Sequence, residues 1–277
     1  MISITVLAEN TARGAGILGE HGLAWWVDTG AHRVLFDTGQ GLALTANAAR
    51  LGVDLARTEA IVLSHGHFDH VGGLEAALGA APRAALFLHP RAVEPKFTGA
   101  NPAPARRISI PFVETESFRA VARRVVTTRE PAEVAPGVWA TGEIPRTNDF
   151  EDTGGPFYLD AALTRPDPLL DDQALYLPTP AGVIVLLGCA HAGVVNTLAH
   201  IAQLTGGAPV RALFGGAHLE NASARRLDET VRALRTHRPQ QMGFCHCTGL
   251  AAIRRLWTEF PDACVLMHAG RRIDLEN

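Results

Sequence analysis

Short apolar runs that end in polar residues alternate along the chain with amphipathic stretches. Runs of about four to eight apolar or alternating residues predict strands, and apolar residues about three to four positions apart predict helices. The predicted strands are 2–8, 23–28, 33–37, 60–63, 84–89, 124–128, 138–141, 173–179, 183–187, 209–214, 241–245 and 263–268. The predicted helices are 40–51, 71–78, 193–205, 223–236 and 249–259. In both halves, strands that end near a histidine precede helices, which favours an α+β fold with two β layers and helices outside them.

Two long stretches do not fit this alternation. Residues 90–118 are proline-rich and irregular, and we expect a lid or a substrate loop there. Residues 142–168 are polar and punctuated by glycine and proline, which indicates a functional loop rather than a core element. Both stretches are therefore candidates for contact with a ligand.

Composition limits the class of protein. The 277 residues, 47% of them hydrophobic, can bury a large core, so a disordered chain is excluded. A net charge of -3 gives no overall basic field, and we expect no nucleic-acid partner. No stretch approaches the roughly 20 apolar residues of a membrane helix, and residues 1–7 alternate like a strand rather than a signal peptide. We therefore expect a cytoplasmic protein without membrane contact, whose oligomeric state stays open.

The densest cluster of potential metal ligands is the sequence His65-Gly66-His67-Phe68-Asp69-His70. Three imidazoles and one carboxylate within six residues suit zinc, iron or manganese better than the all-oxygen ligation of calcium or magnesium. On an extended backbone His65 and His67 share a side, whereas Asp69 and His70 can turn toward a second point. One loop can therefore serve two metal ions.

Further histidines stand at the ends of distant predicted strands. His191 follows the apolar strand 183–187 and His246 follows the strand 241–245. Each could be a metal ligand or a histidine hydrogen-bonded to backbone, and the flanking glycines of His191 favour the ligand. His218, after two glycines, could be a ligand or a catalytic residue.

Four cysteines in a chain of this length do not form a disulfide framework and fit a reduced compartment. Cys189 lies two residues before His191 and would share its face, so it is a candidate ligand. Cys245 and Cys247 flank His246, and in an extended strand both would point away from it. We therefore expect these two to be packed thiols.

The segment 64–73, SHGHFDHVGG, resembles the signature of the metallo-β-lactamase superfamily, and 36–39, FDTG, resembles the first motif of that family. The resemblance implies a four-layer αββα sandwich formed by a single domain over 1–277, with one or two metal ions at the edge of the sheets. Further segments resemble the branch named for 7,8-dihydropterin-6-methyl-4-(β-D-ribofuranosyl)-aminobenzene-5'-phosphate synthase. They are 19–22, 142–146, 171–175, 188–193, 215–219 and 246–249.

The same resemblance implies a ligand set for two divalent ions, with zinc as the first choice and iron or manganese as alternatives. Many hydrolases of the superfamily have a bridging aspartate where this chain has Cys189. A thiolate there could bridge soft metals, or the site could depend on His191 alone. The implied ligands are His65, His67 and His191 for the first ion, and Asp69, His70 and His246 for the second.

These residues lead to a metal-dependent hydrolase of a small anionic ester, lactone or phosphoester as the first hypothesis. A bound metal ion lowers the pKa of water from ~15.7 to about 7. Asp69 could orient or deprotonate that water, and His218 could donate to a developing oxyanion or to the leaving group. The alternatives are a pterin-type synthase that joins a dihydropterin to a ribofuranosyl-aminobenzene phosphate, and a non-catalytic metal or ligand sensor. The candidate substrate-binding residues are Glu20, His21, Arg146 and Glu151.

Overall fold

The computed structural model describes residues 1–99, 104–110, 112 and 115–276. Most of its strands form where apolar residues alternate or run together. The strands are β1 (Ile2–Ala8), β2 (Ala24–Asp28), β3 (Arg33–Phe36), β4 (Ala60–Val62), β5 (Ala85–Leu88), β6 (Phe97–Thr98), β7 (Arg106–Arg107), β8 (Val125–Thr127), β9 (Ala132–Ala135), β10 (Val138–Ala140), β11 (Phe157–Tyr158), β12 (Leu175–Thr179), β13 (Gly182–Leu187), β14 (Val210–Gly216), β15 (Gln241–Cys245) and β16 (Arg272–Leu275).

Most of the helices follow the predicted amphipathic stretches, with different bounds at several ends, whereas the helix Glu116–Val121 lies where no helix was predicted. They are α1 (Leu44–Arg50), α2 (Phe68–Val71), α3 (Leu74–Ala80), α4 (Glu116–Val121), α5 (Val194–Leu204), α6 (Ala224–His237) and α7 (Leu250–Glu259). Across the described parts of the chain, none of these helices is long and apolar enough to cross a membrane.

The two large sheets each combine antiparallel strands with a run of parallel strands. The first has the strand order β16-β1-β2-β3-β4-β5-β8, and the second has the order β15-β14-β13-β12-β10-β9. In the first sheet β3, β4, β5 and β8 run parallel, and in the second sheet β13, β14 and β15 run parallel. Because parallel strands present their carboxyl ends at one edge, the loops that follow them can form a common site.

The sheets pack face to face and the helices cover their outer surfaces. One apolar cluster, which includes Trp25, Phe36, Leu186 and Phe214, joins the facing sides of the two sheets. A second cluster joins the first sheet to α1, α3 and α4, and a third joins the second sheet to α5, α6 and α7. The predicted αββα sandwich is therefore confirmed.

The sequence prediction was wrong for one strand and missed others. Residues 263–268 make only an isolated bridge, between Met242 and Cys264, and the chain ends with β16 against β1 instead. Residues 263–268 are apolar because they pack beside the facing sheets and a cavity. Such a buried segment has the same apolar pattern as a strand. The edge strands β9 and β16 were missed because each is only four residues long, too short for a clear apolar pattern.

The two irregular stretches pair with each other. Strands β6 and β7, from the predicted loop 90–118, form a small third sheet with β11, which lies in the polar stretch 142–168. Within 90–118, residues 100–103, 111 and 113–114 lie outside the described residues. The described part thus places two strands of this loop beside the edge at which the parallel strands end.

Candidate metal centre

The histidine-rich loop begins where β4 ends, and it brings two imidazoles against a third from the other sheet. The ring centroids of His65 and His67 are 4.5 Å apart. His191, which follows β13, has its ring centroid 4.7 Å from that of His65 and 4.9 Å from that of His67. All three rings are buried. The structure therefore brings together the three histidines predicted for the first metal ion.

Hydrogen bonds on the outer nitrogens of two rings leave the inner nitrogens as acceptors. Ser64 uses its one hydroxyl proton on Asp37, so its oxygen accepts from Nδ1 of His65 at 2.9 Å. Nδ1 of His191 donates to the carbonyl of Thr153 at 2.8 Å. In both neutral rings Nε2 is then the atom with a free lone pair.

The inner nitrogens of these three rings lack protein partners. Among the described residues, none hydrogen-bonds to Nε2 of His65, His67 or His191, although all three atoms are buried. Burial lowers the pKa of each ring well below its usual 6.5, which keeps the imidazoles neutral. Buried polar atoms without partners are costly, and neutral imidazole nitrogens are metal ligands, so the three residues fit a bound cation.

A second group lies beside the first. Nε2 of His70 is 3.2 Å from Nε2 of His246. One carboxylate oxygen of Asp69, Oδ2, is 3.3 Å from the same His246 atom and 3.7 Å from Nε2 of His70. Asp69 and His70 reach this position because α2 begins at Phe68, inside the motif rather than after it. The residues predicted for a second ion are therefore also neighbours.

Asp37 supports His70 from behind. Its Oδ2 accepts from Nδ1 of His70 at 2.7 Å, and its Oδ1 accepts from the backbone N–H of Ser64 at 2.7 Å. Burial lowers the pKa of His70, but the carboxylates of Asp37 and Asp69 outweigh burial and raise it to about 9. Asp37 of the FDTG motif therefore orients His70 but is not itself one of the candidate ligands.

His246 is held by residues that follow β1. Its Nδ1 donates to Oδ1 of Asn10 at 2.8 Å, and its backbone N–H donates to the buried carboxylate of Glu9 at 2.8 Å. The backbone of His246 is left-handed, with a φ of 53°. Glu9 and Asn10 were missed because nothing in their local sequence indicates a partner more than two hundred residues away.

A buried ion-pair network holds the loop between His65 and His67. The backbone N–H of Gly66 donates to Asp171 at 2.8 Å. The ammonium group of Lys96 donates to Asp171 at 2.9 Å and to Asp167 at 2.8 Å, and all three side chains are buried. This network links the metal loop to the small third sheet, because Lys96 directly precedes β6.

Cys189, which was predicted to share the face of His191, lies between the two groups. Its Sγ is 3.1 Å from Nε2 of His70. It can join His65 and His191, or His70 and His246, in a set of ligand atoms that all lie within 4.8 Å of one another. A thiol therefore occupies the place between the two candidate metal positions.

The prediction for the other two cysteines was half wrong. Cys245 packs between the sheets, as predicted. Cys247 instead lines the cavity beside Cys189 and His218, because the chain leaves the extended conformation at His246 and enters a tight 3-10 turn. The assumption that β15 continues through His246 caused the error.

His218 and His21 also face the cavity. The His218 ring centroid is 4.5 Å from that of His191, and its backbone is left-handed with a φ of 45°. Nε2 of His21 is 3.3 Å from Oδ2 of Asp69, and the side chain of His21 is 58% exposed. His21 can therefore contact both Asp69 and a ligand.

Glu20 does not fit its predicted contact with substrate. Its buried carboxylate accepts from the backbone N–H groups of Gln40, Leu42 and Ala43, at 3.1, 2.7 and 3.1 Å. These bonds hold the turn that leads into α1. The carboxylate therefore stabilises this turn, and Glu20 is not among the described residues that line the cavity.

Arg146 and Glu151 need the same correction. Arg146 donates to the backbone carbonyl of His191 at 2.6 Å and lies behind it. Glu151 accepts from the N–H groups of Val195 and Asn196, at 2.8 and 2.9 Å, and so caps the first turn of α5. The described residues that line the cavity do not include Glu20, Arg146 or Glu151.

The two histidine groups open into a cavity of about 640 Å³. On one side, Phe157 of β11 packs its ring 4.9 Å from that of His67 and 5.2 Å from that of His191. On the other side is an apolar wall from α7 and the segment after it, in which Leu250 is 82%, Leu266 42% and Trp257 38% exposed. An exposed apolar wall beside polar groups is typical of a small-molecule site.

Comparisons with known proteins agree with this architecture. The chain is 29% identical over 289 residues to the 7,8-dihydropterin-6-methyl-4-(beta-D-ribofuranosyl)-aminobenzene-5'-phosphate synthase of Methanocaldococcus jannaschii, covering 98% of this chain and 96% of that one. A solved metal-dependent hydrolase of the beta-lactamase superfamily superimposes with a TM-score of 0.84 at 27% identity, covering all of both chains.

A more distant structure shows the same fold. The zinc-bound PqqB of Methylobacterium extorquens has a TM-score of 0.57 at 15% identity, and the match covers 99% of this chain and 100% of that one. The family model of the metallo-beta-lactamase superfamily matches residues 18–191, which is more than half of the chain. The comparisons favour an enzyme over the non-catalytic sensor. The chain therefore belongs to the metallo-beta-lactamase superfamily, and it is an enzyme with that fold.

Proposed function

We propose that the protein is a metal-dependent hydrolase of a small anionic ester, lactone or phosphoester. The observation that carries the proposal is the cluster of three buried imidazole rings, those of His65, His67 and His191, whose Nε2 atoms have no hydrogen-bond partner among the described residues. Imidazole nitrogens together with the thiol of Cys189 favour zinc over manganese, with iron as an alternative. Asp69, His70 and His246 would hold a second ion.

A divalent cation in this position supplies Lewis acidity, which polarises the bond under attack and lowers the pKa of bound water. Asp69 is suited to accept a hydrogen bond from the attacking water. Burial raises the pKa of Asp69, but His70, His21 and His246 outweigh burial and keep it well below its usual 3.8, so the group stays a carboxylate. His21, which contacts Asp69 from the exposed side, would fix its orientation.

His218 would act on the leaving group. Its ring faces the same cavity as His191 and lies beside Gly154, where any Cβ would collide with the His218 ring. This close approach and the left-handed backbone fix the ring toward the centre. A donor held in this way can stabilise the negative charge that develops when the ester bond breaks.

Metal content and turnover test the proposal together. Protein purified without added metal would be analysed by elemental mass spectrometry and assayed against an aryl phosphodiester and an aryl lactone. We expect bound zinc and hydrolysis in the wild type, loss of both in His67→Ala, and neither loss in the control His32→Ala, whose ring pairs with Glu59 at the surface. Protein that binds no metal, or a His67→Ala variant that keeps both, would refute the hydrolase.

A pterin-type synthase is the second candidate. The similarity to the synthase of Methanocaldococcus jannaschii over nearly the whole chain supports it, and the cavity of about 640 Å³ with an apolar wall has room for ring systems. The protein would be incubated with a dihydropterin and a ribofuranosyl-aminobenzene phosphate, and products would be identified by mass spectrometry. A condensed product without hydrolysis of the model esters would assign the synthase instead.

A further inference from the structure

A third group of candidate ligand atoms contains two thiols and none of the six histidine and aspartate ligands proposed above. Ligand atoms of Cys189, His218 and Cys247 all lie within 4.8 Å of one another. Cys189 is buried, Cys247 and His218 are half-buried, and the two cysteines are free thiols. Cys247 has no part in the proposed hydrolysis, although it lines the same cavity.

The backbone is shaped to bring Cys247 to this place. Strand β15 ends at Cys245, and the left-handed conformation of His246 turns the chain so that the next side chain enters the cavity. The thiol then lies over Gly216, where a Cβ would stand only 2.7 Å from Sγ of Cys247. Any larger residue at 216 would displace the thiol, so Gly216 leaves the space that the thiol of Cys247 occupies.

The donor set has the chemistry of a soft-metal site. Two thiols and one imidazole are the ligand types of tetrahedral zinc sites, with bond lengths of about 2.0–2.3 Å that place ligand atoms less than ~4.6 Å apart. The ligand atoms of Cys189, His218 and Cys247 all lie within 4.8 Å of one another, close enough for a single cation to draw them together. In addition, Nδ1 of His218 is buried and has no hydrogen-bond partner among the residues that the structure describes.

We propose that Cys189, His218 and Cys247 form a further metal-binding set for a thiophilic divalent cation, and that this set shares Cys189 with the proposed centre. The inference rests on the proposed function, because Cys189 belongs to both. Hard ions such as manganese and magnesium prefer oxygen ligands, so a set with two thiols makes the cavity selective for zinc, cobalt or cadmium.

Cobalt(II) binding tests the proposal, because thiolate ligands give a charge-transfer absorption in the near ultraviolet that imidazole and carboxylate ligands do not give. The protein would be titrated with cobalt(II) under a phosphine reductant, so that the thiols stay reduced. We expect Cys247→Ser and Cys189→Ser each to lower the absorption to about half and the double variant to abolish it, since each thiolate contributes separately. The control Cys264→Ser, at a thiol that bonds the carbonyl of Leu256, should keep the full absorption.

A footprint on the wild-type protein makes the test independent of variant folding. Cys247 should be protected from alkylation by iodoacetamide when cobalt is bound and become reactive when a chelator is added, as read by peptide mass spectrometry. Full absorption in Cys247→Ser, or equal alkylation of Cys247 in both states, would overturn the proposal. If His67→Ala still lost zinc, the proposed hydrolase centre would stand despite that failure, whereas a wild type that bound no metal would refute both.

Discussion

The carboxylate of Asp37 accepts a hydrogen bond from Nδ1 of His70 at 2.7 Å, and both side chains are fully buried. This bond turns Nε2 of His70 toward Cys189 and His246. A carboxylate behind a ligating histidine fixes the orientation of the ring and raises its basicity. Asp37 would therefore act on the proposed metal centre through His70, without contact to a ligand in the cavity.

Replacement of Asp37 should weaken metal binding. We expect Asp37→Asn to lower zinc affinity about 10- to 100-fold, the usual effect of losing such a carboxylate. Competition with a chromophoric chelator would measure the affinity. The control Asp274→Asn removes a carboxylate that pairs with Arg272 at the surface and should leave affinity unchanged. Equal affinities in all three proteins would show that the Asp37 bond has no influence on the metal.

Metal binding should release a proton from His70. The pKa of about 9 means that the ring carries two protons at pH 7, and a cation at Nε2 must displace one of them. Apparent affinity should therefore rise as pH increases from 7 toward 9. Titration calorimetry in buffers of different ionisation enthalpy would count the protons released. A wild type that releases none at pH 7 would contradict a doubly protonated His70 in the metal-free protein.

Glu151 should affect stability rather than substrate binding. We expect Glu151→Gln to lose about 1–2 kcal/mol of unfolding free energy, because the charge that caps α5 is removed. Denaturant unfolding would measure the loss, and Glu94→Gln, at a surface pair with Arg91, is the control. An increase in KM with unchanged stability would restore the predicted substrate contact.

Lys96 should stabilise the loop between His65 and His67 at every pH below the strongly alkaline range. We expect Lys96→Met to lose about 3–5 kcal/mol, since two buried carboxylates are left without their partner. Burial lowers the pKa of Lys96, but Asp171 and Asp167 outweigh burial and raise it above 10.5. The contribution of the raised pKa is thus fully present below pH 10.5 and is lost as pH rises through the folded pKa.

Denaturant unfolding of wild type and Lys96→Met across pH 8 to 12 would therefore show a difference that narrows at the alkaline end. Arg91→Met, which removes a cation from a partly exposed pair, is the control and should cost little at any pH. A difference that stays constant to pH 12 would mean that the charge of Lys96 is not the stabilising property.

Phe157 should protect the centre from solvent. Its ring covers His67 and His191, and an apolar cover controls access of water and chelators to a metal. We expect Phe157→Ala to speed the transfer of zinc to a chelator by about tenfold. The control Tyr158→Ala changes the next residue of β11, whose side chain points to the opposite face. Equal rates in both variants would rule out a covering role for Phe157.

Much of the site could be predicted because its residues follow parallel strands. The segment 65–70 is local in sequence, and His191 and His246 each stand at the end of an apolar strand. The carboxyl ends of such strands meet at one edge of a sheet, which brings these side chains together. The spacing of two residues between Cys189 and His191 likewise predicted Cys189 as a candidate ligand on the same face as His191.

The remaining errors came from contacts that no local pattern records. Glu20 and Glu151 look like free carboxylates in the sequence, yet backbone N–H groups from distant turns use both of them. Cys247 was misplaced because a single left-handed residue, His246, reverses the direction of the side chain after it. Backbone reversals and long-range capping depend on the folded chain.

The two facing sheets each contribute part of the candidate ligand set. The segment 65–70 follows β4 of one sheet, and Cys189, His191 and His246 follow strands of the other. A cation held by both would add a further link between the two sheets, beside the hydrogen bonds that join His246 to Glu9 and Asn10 and Gly66 to Asp171. If the cation were removed, the contact between the two sheets at this edge should open first. The rate of that local opening would then set the half-life of the folded protein in a chelating medium.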